Sequence, residues 1–126
     1  METLRILLIE DSADDAELIA LELADAGIAH QMQRVELRSE LEQALERDDW
    51  SLVICDSRLP GYSGTEALRW VRARLPDVPF VFCVGSTHFA DPAFAEALGD
   101  CQGCVDKDAL SELPATIIQV MANFAA

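Results

Sequence analysis

The sequence predicts an α/β domain with a doubly wound parallel sheet, and three observations carry that expectation. Short unbroken apolar runs, Ile6-Leu7-Leu8-Ile9, Leu52-Val53-Ile54-Cys55 and Phe80-Val81-Phe82-Cys83-Val84, have the length and composition of strands buried on both faces. Segments with apolar residues at helical spacing separate them, giving five βα units with no internal repeat, low-complexity tract or linker. Crossovers between parallel strands are right-handed, so helices must cover both faces. A chain of 126 residues, 51% hydrophobic and 25% charged, is one folded domain, 1–126, with enough material for a core.

Each element has its own signal. After the first strand, Ser12 with Asp15 three residues on matches a capping box, and Ala16, Ile19, Ala20 and Leu23 recur at helical spacing until Gly27 supplies a stop. A more polar strand over about Ala29 to Val35 belongs at the sheet edge, and Leu37, Leu41, Ala44 and Leu45 define a second amphipathic helix. The central strand, Ser51 to Cys55, ends in Asp56 and the turn residues Pro60-Gly61. Ser63 and Glu66 form a second capping box, opening a helix that buries Ala67, Leu68, Val71 and Leu75 and ends at Pro76 and Pro79. The apolar strand Phe80 to Val84 stops at Gly85. A short fourth helix is expected from about Asp91 to Leu98, then a brief strand around Cys104-Val105. The last helix presents Leu113, Ile117, Val120, Met121 and Phe124 on one face.

The acids stand where such a fold does its chemistry. Ligands in open parallel α/β sheets bind just beyond the carboxyl ends of the strands. Asp56 is the first residue past the central strand, and Glu10-Asp11 follow the first. If these strands are neighbours, three carboxylates converge, and they cannot stay ionised and desolvated without a partner, for which a hard divalent cation is suited.

The balance of 9 Lys+Arg against 23 Asp+Glu, net −14, argues against nucleic acid or anionic membrane as a direct partner, because phosphate contact needs a basic footprint. No apolar stretch approaches membrane-spanning length, and acids interrupt the first strand too soon for a signal peptide, so a cytoplasmic location is the default expectation. Cys55 and Cys83 lie in buried strands. Cys101-Gln102-Gly103-Cys104 has redox spacing but leads into a strand, whereas a thioredoxin-like pair opens a helix.

With acids after strands one and three and a Lys after strand five, the chain resembles the receiver domain of two-component response regulators over essentially its whole length. The stretches that carry the resemblance are Ile6 to Asp11, Leu52 to Gly64 and Val105-Asp106-Lys107. The resemblance implies a flavodoxin-like (βα)5 sheet of order 2-1-3-4-5. It implies that Asp56 accepts a phosphoryl group from a phosphohistidine, supplied by a sensor histidine kinase or histidine phosphotransfer protein. It further implies Asp11 as a direct Mg²⁺ ligand, with Asp56 and the backbone carbonyl of Arg58, and Glu10 reaching the ion through water. It implies, finally, that Lys107 is the cation that pairs with Asp56 or with the phosphoryl oxygens.

Two switch positions depart from the family. Strand four usually ends in Ser or Thr, and here Val84 stands there, with Ser86 and Thr87 just beyond as substitutes if the loop folds back. The residue three before the Lys is usually Tyr or Phe, and here it is Cys104. Val84 and Cys104 favour an alternative, a receiver that keeps the fold but acts as a phosphorylation-independent interaction module; Glu10, Asp11, Asp56 and Lys107 oppose it. A Mg²⁺-dependent phosphohydrolase fits poorly, because Arg58 occupies the place of its acid/base Asp. A signalling domain with no reaction on an external substrate is therefore expected, either stand-alone or one part of a longer chain with an output partner. His88 reads as an exposed loop residue. Pairing through the fourth helix, fifth strand and last helix, as is frequent in the family, makes Phe89 and Phe94 candidate contacts. Asp14-Asp15 read as favourable charge at a helix N-terminus.

Overall fold

Five parallel strands form one sheet in the computed structural model, which describes residues 3–56, 58–85 and 98–125. They are β1 (Leu4–Ile9), β2 (His30–Val35), β3 (Leu52–Cys55), β6 (Phe80–Val84) and β7 (Gly103–Asp106), ordered β2-β1-β3-β6-β7. The remaining strands, β4 (Arg58–Leu59) and β5 (Tyr62–Ser63), pair antiparallel in a small hairpin outside the sheet. Counted along the sheet alone, the order is the expected 2-1-3-4-5. Its edge strand β2 is the polar one, alternating between covered and exposed positions.

Helices clothe both faces. Beneath one lie Ile19 and Leu23 of α1 (Ala13–Asp25), together with Leu113, Ile117 and Val120 of the last helix (Leu113–Ala125), packed on Ile6, Leu8, Ile54 and Val81. Beneath the other lie Leu41 and Ala44 of α2 (Arg38–Ala44) and Ala67, Leu68 and Val71 of α3 (Gly64–Arg74), packed on Leu7, Ile9, Val53, Phe80 and Phe82. Each large side chain buried completely in these layers contributes about 1.5–3 kcal/mol. Trp50 is buried in the second layer, where its indole Nε1–H donates to the Ala44 carbonyl at 2.9 Å and satisfies the end of α2.

Two glycines adopt a backbone that other residues rarely take. Gly27 (φ +74°) ends α1, and Gly61 (φ +81°) turns the hairpin. Gly103 is needed for a different reason: a Cβ there would lie 3.0 Å from the Thr116 methyl, so the bare backbone lets the last helix approach β7.

Local expectations met two corrections. Leu37 is not part of the buried face of α2; it is the N-cap residue and is half exposed, because the helix begins one residue later and turns it outward. At α1 only half of the capping box forms. Ser12 Oγ accepts from Asp15 N at 3.2 Å, but the Asp15 carboxylate is engaged elsewhere, and Glu10 Oε1 accepts from the Ser12 N–H at 3.1 Å. At α3 the box is complete. The expected fourth helix lies outside the described residues, as do Ser86, Thr87, His88, Phe89 and Phe94. Among the described residues no helix is long and apolar enough to cross a membrane.

Candidate functional site

Register brings the acids together. β1 and β3 are adjacent with Ile9 opposite Cys55, and Asp56 N donates to the Ile9 carbonyl at 2.9 Å, so Glu10 and Asp56 leave the sheet at the same level. With Asp11 they offer three carboxylate oxygens within 4.8 Å of one another. The backbone around them is tied down: Glu10 N donates to Val35 O at 3.0 Å, and Arg34 Nη1 donates to Glu10 O at 3.2 Å. Beyond Asp56, Arg58 and Leu59 pair with Ser63 and Tyr62 in the small hairpin that turns at Gly61.

Lys107 enters from β7. The strand ends at Asp106, whose side chain accepts from Asp108 N at 2.8 Å and opens the short 3₁₀ segment Lys107–Glu112. That cap fixes the backbone from which the Lys107 side chain reaches over the sheet edge. Its ammonium donates to Glu10 Oε1 and Asp56 Oδ2, each at 3.2 Å, and to Asp15 Oδ2 at 2.7 Å. Along this group the side chains pass from core to solvent: Glu10 is 1% exposed, Asp56 10%, Lys107 20% and Asp15 36%.

The electrostatics follow from burial. Desolvation, with the charge of Asp56 added, lifts the Glu10 carboxyl to about 7, against the opposing pull of the Lys107 ammonium. Burial disfavours the charged form of Lys107 as well. There the Asp15 hydrogen bond and the charges of Glu10 and Asp56 prevail, holding the ammonium protonated above its usual range. The second Glu10 oxygen, Oε2, is buried with Lys107 Nζ 3.1 Å away in ion-pair range, yet among the described residues it accepts no hydrogen bond.

Asp15 is the residue that sequence reasoning missed. Its spacing from Ser12 already explained it as a helix-capping acid, and that explanation hid its partner. A usable signal was present nonetheless: the first turn of a helix that directly follows an acid-tipped strand hangs over the same edge as those acids.

Val84 and Cys104 both sit within the sheet. Val84 is fully buried, pairs in register with Asp106, and belongs to the core layer containing Ile9, Cys55 and Tyr62, so no hydroxyl reaches the site from that position. Cys104 pairs with Phe82 and packs, half-buried, on the same layer. All four cysteines are free thiols. Burial pushes the Cys104 thiol up to about 12, far from the range of a reactive thiolate. The Cys55 thiol, also raised by burial, donates to the Asp56 carbonyl at 2.9 Å.

A doubly wound sheet with carboxylates at two adjacent strand ends and a lysine at a third defines a class, and sequence comparison agrees with it. The response regulator receiver domain model matches residues 6–117, and the chain belongs to that family. It is 33% identical over 96 residues to the transcriptional regulatory protein GltR of Pseudomonas aeruginosa; the match covers 75% of this chain, which spans 39% of that relative's length. The fold is shared with the receiver domain of a sensor histidine kinase from Pseudomonas aeruginosa, solved with a magnesium ion in its active-site cleft. That likeness has a TM-score of 0.79 at 21% identity and covers 96% of this chain and 99% of the other. The response regulator TrrA of Thermotoga maritima, solved with Mg²⁺ and BeF, gives a TM-score of 0.74 at 24% identity over 94% of this chain and 99% of the other.

Proposed function

We propose that this receiver domain takes a phosphoryl group onto Asp56 with the help of a divalent cation, Mg²⁺, and thereby relays a signal from a histidine kinase or histidine phosphotransfer protein. The observation that carries the reading is Lys107 joined to Asp56 and Glu10 at the edge where Glu10, Asp11 and Asp56 converge. The donor set fits the ion: three carboxylate oxygens are hard ligands, and the buried Glu10 Oε2 has acceptor capacity that no hydrogen bond from the described residues uses. Asp11, Asp56 and the Arg58 backbone carbonyl would hold the ion directly, and Glu10 would reach it through water. When bound, Mg²⁺ neutralises the acid cluster and polarises phosphoryl oxygens.

This chain's residues supply the rest. An Asp56 carboxylate oxygen attacks phosphorus as the P–N bond of the donor phosphohistidine breaks. Two anions meet in that step, so positioning and charge neutralisation are the main catalytic contributions, and Lys107 provides a mobile positive charge at the developing phosphoryl oxygens. Val84 favours a second reading for output, a constitutive interaction surface, because no hydroxyl from this position couples the phosphoryl group to the following loop.

Intact-protein mass after incubation with Mg²⁺ and a small-molecule phosphodonor tests the reading. A phosphoryl adduct that requires Mg²⁺ and is absent from Asp56→Asn is expected. Demonstrable Mg²⁺ binding without any adduct, from a small donor or from a kinase, would transfer the assignment to the interaction module.

A further inference from the structure

Lys107 serves two cations' worth of demand. The Glu10 and Asp56 oxygens that it contacts at 3.1–3.2 Å belong to the same acid cluster that offers itself to a metal, so the ammonium and a divalent cation compete for them. Its shortest bond goes elsewhere, to Asp15 Oδ2 at 2.7 Å, within the range of strong charge-assisted hydrogen bonds, whereas the other two are long for that class. Asp15 stands apart from the acid cluster. It sits in the first turn of α1, where Ser12 Oγ holds its backbone N–H, and its carboxylate lies on the solvent side of the ammonium.

We propose that Asp15 is a positioning residue: it retains the Lys107 ammonium when a divalent cation occupies the acid cluster, leaving the ammonium one short swing from the phosphoryl oxygens. The inference rests on the Mg²⁺-dependent reading above and adds to it a residue acting through Lys107. Without the Asp15 charge, Lys107 settles on Glu10 and Asp56 and opposes metal entry. The four-carbon lysine stem makes such a swing inexpensive. Dependence on Lys107 distinguishes positioning from a simple loss of negative charge, which weakens cation binding with or without the lysine.

A double-mutant cycle reads this directly through Mg²⁺ affinity, measured calorimetrically on proteins whose folding is checked by circular dichroism. Asp15→Asn is expected to weaken Mg²⁺ binding about fivefold, in the range for members of one ion-pair network. Asp15→Glu restores most of the loss, and Asp14→Asn, which removes an equal charge from the neighbouring exposed position, changes affinity less than about twofold. In a Lys107→Gln background the Asp15→Asn effect shrinks to less than about twofold. An Asp15→Asn loss of the same size in both backgrounds, or no loss in either, would overturn the inference. Wild-type protein that binds no Mg²⁺ and gains no Asp56 adduct would instead strike the underlying reading.

Discussion

At one edge of the sheet Asp49 lies between two arginines, and at the other Lys107 lies between three carboxylates. The first group is more open to water, with Asp49 and Arg47 exposed and Arg5 half-buried: Arg5 Nε and Arg47 Nη2 approach Asp49 Oδ2 at 3.1 and 3.0 Å, and both guanidinium groups lie near the Trp50 ring. Hydrogen bonding from Arg47 holds the Asp49 carboxyl below its usual range. In the second group burial dominates and Glu10 moves the opposite way. Ion pairing in water leaves a carboxylate comfortable as an anion. Ion pairing at a buried edge with three acids to one base leaves charge unbalanced, and an unbalanced buried cluster is a place to receive a cation.

The largest expected effect comes from removing the central cation. In metal-free buffer at pH 8, Lys107→Met leaves Glu10 and Asp56 facing each other without their base and should lower unfolding free energy by about 2–4 kcal/mol. Urea denaturation measures this, and Mg²⁺ should recover most of the loss by taking over neutralisation. Equal stability of the two proteins in chelator would place the buried cluster on the same footing as the exposed one.

A smaller effect should appear as a pH profile. Burial lifts the Glu10 carboxyl to about 7 in the folded chain against an ordinary value of 4.5, so folding favours its protonated form. The associated stability is fully present below pH 4.5 and is lost as pH rises through about 7. Allowing for the screening that remains at a site next to solvent, the change amounts to about 2 kcal/mol. Glu10→Gln cannot titrate, so its stability minus that of wild type should grow over this window in chelator and shrink when Mg²⁺ is added. A constant difference across the window would show that the Lys107 pairing balances Glu10 fully.

The smallest effect is expected at the opposite edge. Asp49→Asn removes the acid from between Arg5 and Arg47, yet all three side chains remain in contact with water, and denaturation midpoints with and without Mg²⁺ should match wild type. A loss comparable to that of Lys107→Met would erase the distinction between the two edges.

Much of this site was legible before any fold was known, for a physical reason. A buried parallel strand must be continuously apolar, so the step from Ile9 to Glu10 and from Cys55 to Asp56 marks the strand end in one dimension. Capping at Ser63 and the stop at Gly27 are likewise local, since a helix end is satisfied within a few residues. Leu37 misled because a helical period does not say which residue begins the helix.

Sequence by itself therefore determined the strands, the chain positions of Glu10, Asp11, Asp56 and Lys107, and the apolar strand end at Val84. Only the tertiary structure decided which acids Lys107 binds and how their protons respond. Asp15 and Lys107 are 92 positions apart, and their bond exists because α1 and β7 converge at one sheet edge. Periodicity records what each residue must do for its own helix or strand. Coulomb attraction and desolvation depend on distance and burial in space, which appear once the chain has folded.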